Sequence, residues 1–155
     1  MLRSFFRLFN RFMLWMWHNG MGAYVNAWPP VTGRIMVLTT TGRKSGQPRQ
    51  TPVNYALIDG DIYCTAGFGA VSDWYRNLMA NPKVEVWLPD DSHFSGLAED
   101  IIPGPTRLPW LRTVLQNSGF AAFAAGINPY TIDDSHLEKV CRDYCLVRIQ
   151  KMAVL

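Results

Sequence analysis

Apolar and polar positions recur along this chain with two different periods. Over residues 1–18 the period is helical. At 100° per residue, Arg3, Arg7 and Arg11 share one side with Ser4, Asn10 and His18, and Leu14 is the misfit there. Leu2, Phe5, Phe6, Phe9, Phe12, Met13, Met16 and Trp17 cover the other side, and Asn19-Gly20 supplies a stop. From residue 34 the pattern shortens to that of strands. Arg34–Thr40 and Gln50–Ile58 are rich in β-branched residues, and Asp59-Gly60 is a two-residue hairpin signal that returns the chain as Asp61–Ala66. Lys83–Leu88 alternates as a half-buried strand does, His93–Ile102 follows, and Tyr144–Gln150 closes the set.

Helices are expected between these strands. Ser72 is placed to cap one over Asp73–Ala80, which Asn81-Pro82 ends. Thr106–Ala125 reads as helix in two pieces divided at Gly119, and Asp134–Arg142 as a short one. Met21–Gly33, with Trp28-Pro29-Pro30, reads as a connector. The pattern predicts one α+β domain: an amphipathic helix over 1–20, then an antiparallel barrel of about six strands with peripheral helices over 21–155.

Composition narrows what such a domain does. At 155 residues, 48% hydrophobic and 17% charged, the chain is globular and long enough to bury a core. Three cysteines leave at least one unpaired, which points to a reducing, cytoplasmic compartment. Cys141 and Cys145 have helical spacing near His136, but a metal site lacks a fourth ligand. No HExxH, CxxC, nucleophilic triad or carboxylate pair is present, so an enzyme built from this chain needs a cofactor to carry its chemistry.

Charge is uneven. Residues 1–58 hold seven Lys and Arg and no Asp or Glu, although the whole chain is only +3. Such a basic first third calls for anionic partners: a phosphorylated cofactor, a lipid surface or nucleic acid. The first helix is too rich in Arg to span a bilayer and has no secretory core. Two readings stay open for residues 1–18: docking on the chain's own barrel, or lying in a membrane interface. Nucleic acid is the weakest partner, because the other cations sit in one loop and not in an extended aromatic-interleaved stripe.

That loop is GRKSGQPR, residues 42–49, between the first two strands. Its glycines permit unusual backbone geometry, and successive N–H groups there can form an anion nest. Arg43, Lys44 and Arg49 would add charge-assisted bonds to a phosphate. A solvated hairpin tip is the plain alternative. It is not a P-loop, since Leu38 stands where that motif needs its first Gly. A second glycine-bearing bend, Gly67-Phe68-Gly69-Ala70, precedes the Asp73 helix.

TTTGRKSGQPRQTPVNY, then the Asp59-Gly60-Asp61 turn, then DWYRNLMANPKVEV over Asp73–Val86, resembles the deazaflavin-dependent nitroreductase and quinone-reductase family. The likeness runs from about Arg34 to Val86. It implies a split β-barrel related to the FMN-binding pyridoxamine-phosphate-oxidase barrels, and a reduced deazaflavin, coenzyme F-420, passing hydride to a small quinone, nitroaromatic or enone. On that resemblance Arg43, Lys44, Ser45, Gln47 and Arg49 would hold the cofactor phosphate. Ala66, Gly67, Phe68 and Gly69 would run along the ring, and Trp74, Tyr75 and Asn77 would complete the wall. No side chain is assigned as catalytic. GFGAVSD is shorter than its counterpart in the nitroreductases and has no cation, which keeps FMN as an alternative cofactor and a non-catalytic cofactor carrier as an alternative role. Aromatic density around Trp110, Phe120, Phe123 and Tyr130 predicts a cap over an apolar acceptor pocket. Barrels of this type often pair, so a homodimer is among the expected assemblies.

Overall fold

A computed structural model describes residues 2–153; the side chains of Leu2 and Arg3, assigned above to the two faces of the first helix, lie outside the described residues. The first helix, α1 (Leu2–His18), is followed by two single-turn helices, α2 (Gly22–Val25) and α3 (Pro29–Thr32), where a connector was expected. The strands are β1 (Ile35–Thr41), β2 (Pro48–Ile58) and β3 (Asp61–Ala66), then β4 (Lys83–Trp87), β5 (His93–Ile101) and β6 (Cys145–Lys151). They close into a barrel in the order β1-β2-β3-β6-β5-β4, with β4 returning to β1 and every pair antiparallel. This is the split barrel the sequence predicts. The β2–β3 turn has Asp59 at φ 52° and Gly60 at φ 86°, the two positive values a type I′ hairpin requires.

Strand alternation sorts the core into two layers. Met36, Leu38, Tyr55, Cys64, Val84, Val86, Val147 and Ile149 fill the barrel. A Cβ at Gly96 would stand 2.5 Å from Ile149 Cγ2, so that close packing needs a residue without one. The opposite faces of β2, β3 and β6 present Ala56, Tyr63 and Leu146 to an outer helical layer. That layer is α5 (Leu108–Gln116), α6 (Phe120–Ala124) and α7 (Asp134–Val140), which Asp133 caps by accepting a hydrogen bond from His136 N at 2.9 Å. Between β3 and β4, α4 (Asp73–Ala80) sends Leu78 and Tyr75 into the barrel core. Ser72 precedes it without a side-chain cap bond, contrary to expectation.

The outer face of β1 belongs to α1. Ile35 and Val37 point away from the barrel and meet Met13, Trp17 and Val25, which is why β1 is buried on both faces. Trp17 sets the rotation of the helix: its indole lies 3.0 Å from the position a Cβ would take at Gly22 and packs edge-on against Trp87. The apolar side therefore splits. Met13 and Trp17 dock, whereas Phe5 and Phe12, with Leu8 and Trp15 at the edge of that side, remain more than half exposed.

Trp17→Ala is expected to cost about 3–5 kcal/mol, because the indole is 2% exposed and its cavity cannot refill. For a chain of this length that is a melting-temperature fall of roughly 10 °C, read by thermal denaturation. Phe12→Ala on the exposed side of the same helix should move the transition by no more than about 0.5 kcal/mol.

Candidate cofactor site

The cationic turn is a built structure. Gly42 N donates to Gln47 O at 2.8 Å and Gly46 N donates to Gly42 O at 2.8 Å, closing residues 42–47 into a compact loop. Gly46 holds φ at +67°, a value that favours glycine, and no atom lies within 4 Å of where its Cβ would be. Ser45 Oγ accepts from Gln47 N at 3.3 Å inside the turn. A cleft of about 240 Å³ runs beside it, between Thr39–Thr41, Gly46 and the Asn81–Glu85 segment.

A buried amide anchors this turn. Asn77, 5% exposed on α4, accepts through Oδ1 from Arg43 N at 3.2 Å and from Arg43 Nη1 at 2.9 Å. Its Nδ2 donates to Thr40 Oγ1 at 3.3 Å, and Thr40 is itself 1% exposed. Arg43 also pairs with Asp73 at 3.0 Å. Arg43, expected to hold phosphate, ties the turn to α4 through its main-chain N, Nη1 and Nη2. Lys44 and Arg49 are exposed and form no ion pair among the described residues. Gln47 is also exposed, with Ser45 between them.

The remaining expected wall residues divide. Ala66 is buried in the barrel core, whereas Gly67 and Phe68 are exposed at its rim. Gly69 holds φ +66°, and a Cβ there would stand 2.5 Å from Asp143 O, so the bend is locked against the turn before β6. Trp74 is half-buried, its ring edge-on to Tyr75. Tyr75 is buried among the barrel-core residues, and its phenol donates to Asp100 Oδ1 at 2.9 Å. Burial, then that carboxylate, push its pKa well above the ordinary value. Burial likewise pushes the Cys64 thiol up to about 12 and Cys141 to about 11, so neither is a thiolate nucleophile near neutral pH.

One contact was invisible in the sequence. Phe6 of α1 meets Phe68 edge-on at 5.5 Å, which carries the first helix across to the bend. The four residues expected to cap an acceptor pocket are elsewhere. Trp110 stacks on Tyr63 at 5.4 Å in the outer layer, and Phe120 and Phe123 sit on the open side of α6. Tyr130 is 65% exposed and donates to Gln116 O at 3.2 Å. Of the four, only Trp110 packs into the outer layer; Phe120, Phe123 and Tyr130 are largely exposed.

Comparison with known proteins identifies the lineage. The profile of the F420H(2)-dependent quinone reductase family matches residues 9–132. The chain belongs to that family. It is 46% identical over 55 residues to the F420H(2)-dependent quinone reductase Rv1261c of Mycobacterium tuberculosis. That stretch is 33% of this chain and 36% of the relative, so the match spans about a third of its length. Among solved structures, the conserved hypothetical protein Rv2991 of Mycobacterium tuberculosis superposes with a TM-score of 0.56 at 25% identity, over 86% of this chain and 79% of that one. An F420-H2 dependent reductase superposes with a TM-score of 0.54 at 21% identity, over 76% and 94% of the two chains, a likeness that speaks for the fold. The matched region includes α4, the cationic turn and the bend.

Removing the anchor should loosen the turn without opening the barrel. Asn77→Ala leaves Thr40 and the Arg43 amide unpaired, and is expected to cost about 2–3 kcal/mol. Amide exchange should quicken at residues 42–46 well before β3 and β6 are affected, as hydrogen-exchange mass spectrometry would show.

Proposed function

We propose that this chain is an oxidoreductase that binds reduced coenzyme F-420 and reduces a small, apolar, electron-poor acceptor, of which a quinone is the first choice and a nitroaromatic or enone the others. The observation that carries this reading is the pair of exposed cations, Lys44 and Arg49, on a turn that Asn77 holds rigid from beneath. A preorganised loop binds an anion without first losing the entropy of ordering itself. Its residues fit the anionic end of the coenzyme: Gly46 leaves its flank open, Gln47 and Ser45 offer hydrogen-bonding groups, and the Asn81–Glu85 cleft gives room beside them.

The bound coenzyme supplies a hydride. The chain's own share is to position, shield and hold. Lys44 and Arg49 neutralise the phosphate, and the locked Gly67–Gly69 bend offers main chain at close approach. Phe6 and Phe68 offer apolar edges where a flat acceptor would lie, and exclude water there. Asn77 and Arg43 act through the turn. A homodimer belongs to the same reading.

A second observation bears on where this happens. Among the described residues no helix is long and apolar enough to cross a membrane. Phe5, Leu8, Phe12 and Trp15 nonetheless form an exposed apolar arc along α1, with Arg7 and Arg11 on its border. A peripheral position on an anionic bilayer would bring the site to acceptors dissolved in lipid.

Lys44→Ala and Arg49→Ala should each weaken coenzyme binding about tenfold or more, since a charge-assisted contact contributes about 1.5–3 kcal/mol. Melting should stay within about 0.5 kcal/mol, because both side chains are exposed. Fluorescence titration with coenzyme F-420 reads the first and thermal denaturation the second; undiminished affinity in both variants would take the turn out of the site. For the membrane reading, the intact chain should sediment with vesicles containing anionic lipid, less so as salt rises. Phe12→Ala/Trp15→Ala should stay in the supernatant while melting as the parent does; equal sedimentation of both would sink it.

A further inference from the structure

A second cleft, of about 340 Å³, lies between the start of α5 and α7. Arg107, Lys139 and Arg142 line it. Lys139 and Arg142 are exposed, whereas Arg107 is 3% exposed at the floor. Arg107 Nη1 donates to Tyr144 O at 2.8 Å and Nη2 to Cys141 O at 2.9 Å. Among the described residues no carboxylate pairs with any of the three cations. Glu138 also lines the cleft and takes part in none of the chain's ion pairs there.

A buried guanidinium with two neutral acceptors and no counter-charge is an unusual arrangement. Transferring a charge from water is costly unless it is paired, and an incoming anion recovers the most where the charge is already desolvated. Arg107 keeps N–H groups beyond the two used on the carbonyls, and its planar fork suits a phosphate or a carboxylate. Pro103, which is exposed, supplies apolar wall beside it, and Ser135 a hydroxyl at the edge, while Leu108 and Leu111 back the cleft from within the core. The volume lies in the range of small-molecule sites.

We infer that this cleft is a binding site for a small organic anion, its phosphate or carboxylate head on Arg107, Lys139 and Arg142 and its apolar body against Pro103. The site is separate from the cationic turn and does not rest on the function proposed above. Arg107 fixes the two carbonyls of the turn whose other side packs on Gly67 and Gly69, so its occupant would sit one turn of chain behind the bend.

Calorimetric titration of the full chain with phenyl phosphate and with inorganic phosphate tests this. Phenyl phosphate should bind saturably and more tightly than phosphate, because only it can use the apolar side of the cleft. Lys139→Ala/Arg142→Ala, both at exposed positions, should raise its Kd about tenfold or more with melting unchanged. Lys44→Ala/Arg49→Ala should leave that Kd unchanged. No saturable binding, an unchanged Kd in the cleft variant, or loss of binding in the turn variant would each overturn the assignment. The turn variant's affinity for coenzyme F-420 reports separately on the proposed function.

Discussion

The side-chain amide of Asn77 is the interaction on which the site depends. It sits where three parts of the molecule meet: the end of the barrel, the helix α4 that enters it, and the cationic turn outside. Thr40 places a hydroxyl on the inner side of β1, where an unpaired polar group would destabilise the core. Asn77 satisfies that hydroxyl from one end of its amide and holds Arg43 with the other. Its donors and acceptors are therefore engaged at both ends, and the surface turn inherits the rigidity of the barrel. The Arg43–Asp73 pair adds little by comparison, because Asp73 is largely in water.

The barrel converts strand alternation into a division of space. Inward residues of β1, β2, β3 and β6 make one core, and their outward neighbours are claimed by different helices on different flanks. α1 takes the outside of β1, while α5, α6 and α7 take the outside of β2, β3 and β6. Close backbone approach fixes how those layers join: a Cβ at Gly119 would stand 2.3 Å from Gly33 N, with both glycines at positive φ. At the rim with the turn and the bend, α4 closes the barrel from beneath and Phe6 of α1 reaches Phe68.

The same geometry gives the early cations different work. Arg43 ties the turn to α4, Lys44 and Arg49 are exposed on the same loop, and Arg7 and Arg11 border the apolar arc of α1. Late in the chain, Arg107 is almost entirely buried. A net charge of +3 says nothing of this sorting.

Local chemistry was legible in the sequence. The strand periods, the Asp59-Gly60 hairpin, the break at Gly119 and the glycine-rich cationic turn are all set by residues within a few positions of one another. The order of motifs around that turn also pointed to the family to which the chain belongs. Tertiary structure decided the rest, for a physical reason. Arg43 meets Asn77 across 34 residues, Phe6 meets Phe68 across 62, and Arg107 meets the Tyr144 carbonyl across 37. No periodicity encodes such pairings. The rotation of α1 shows the same limit: its moment marks a broad apolar side, but only the fit of Trp17 beside Gly22 and Trp87 determines which part is buried. Trp110, Phe120, Phe123 and Tyr130 are close in sequence, yet only Trp110 turns inward, onto Tyr63, while the other three lie largely in solvent.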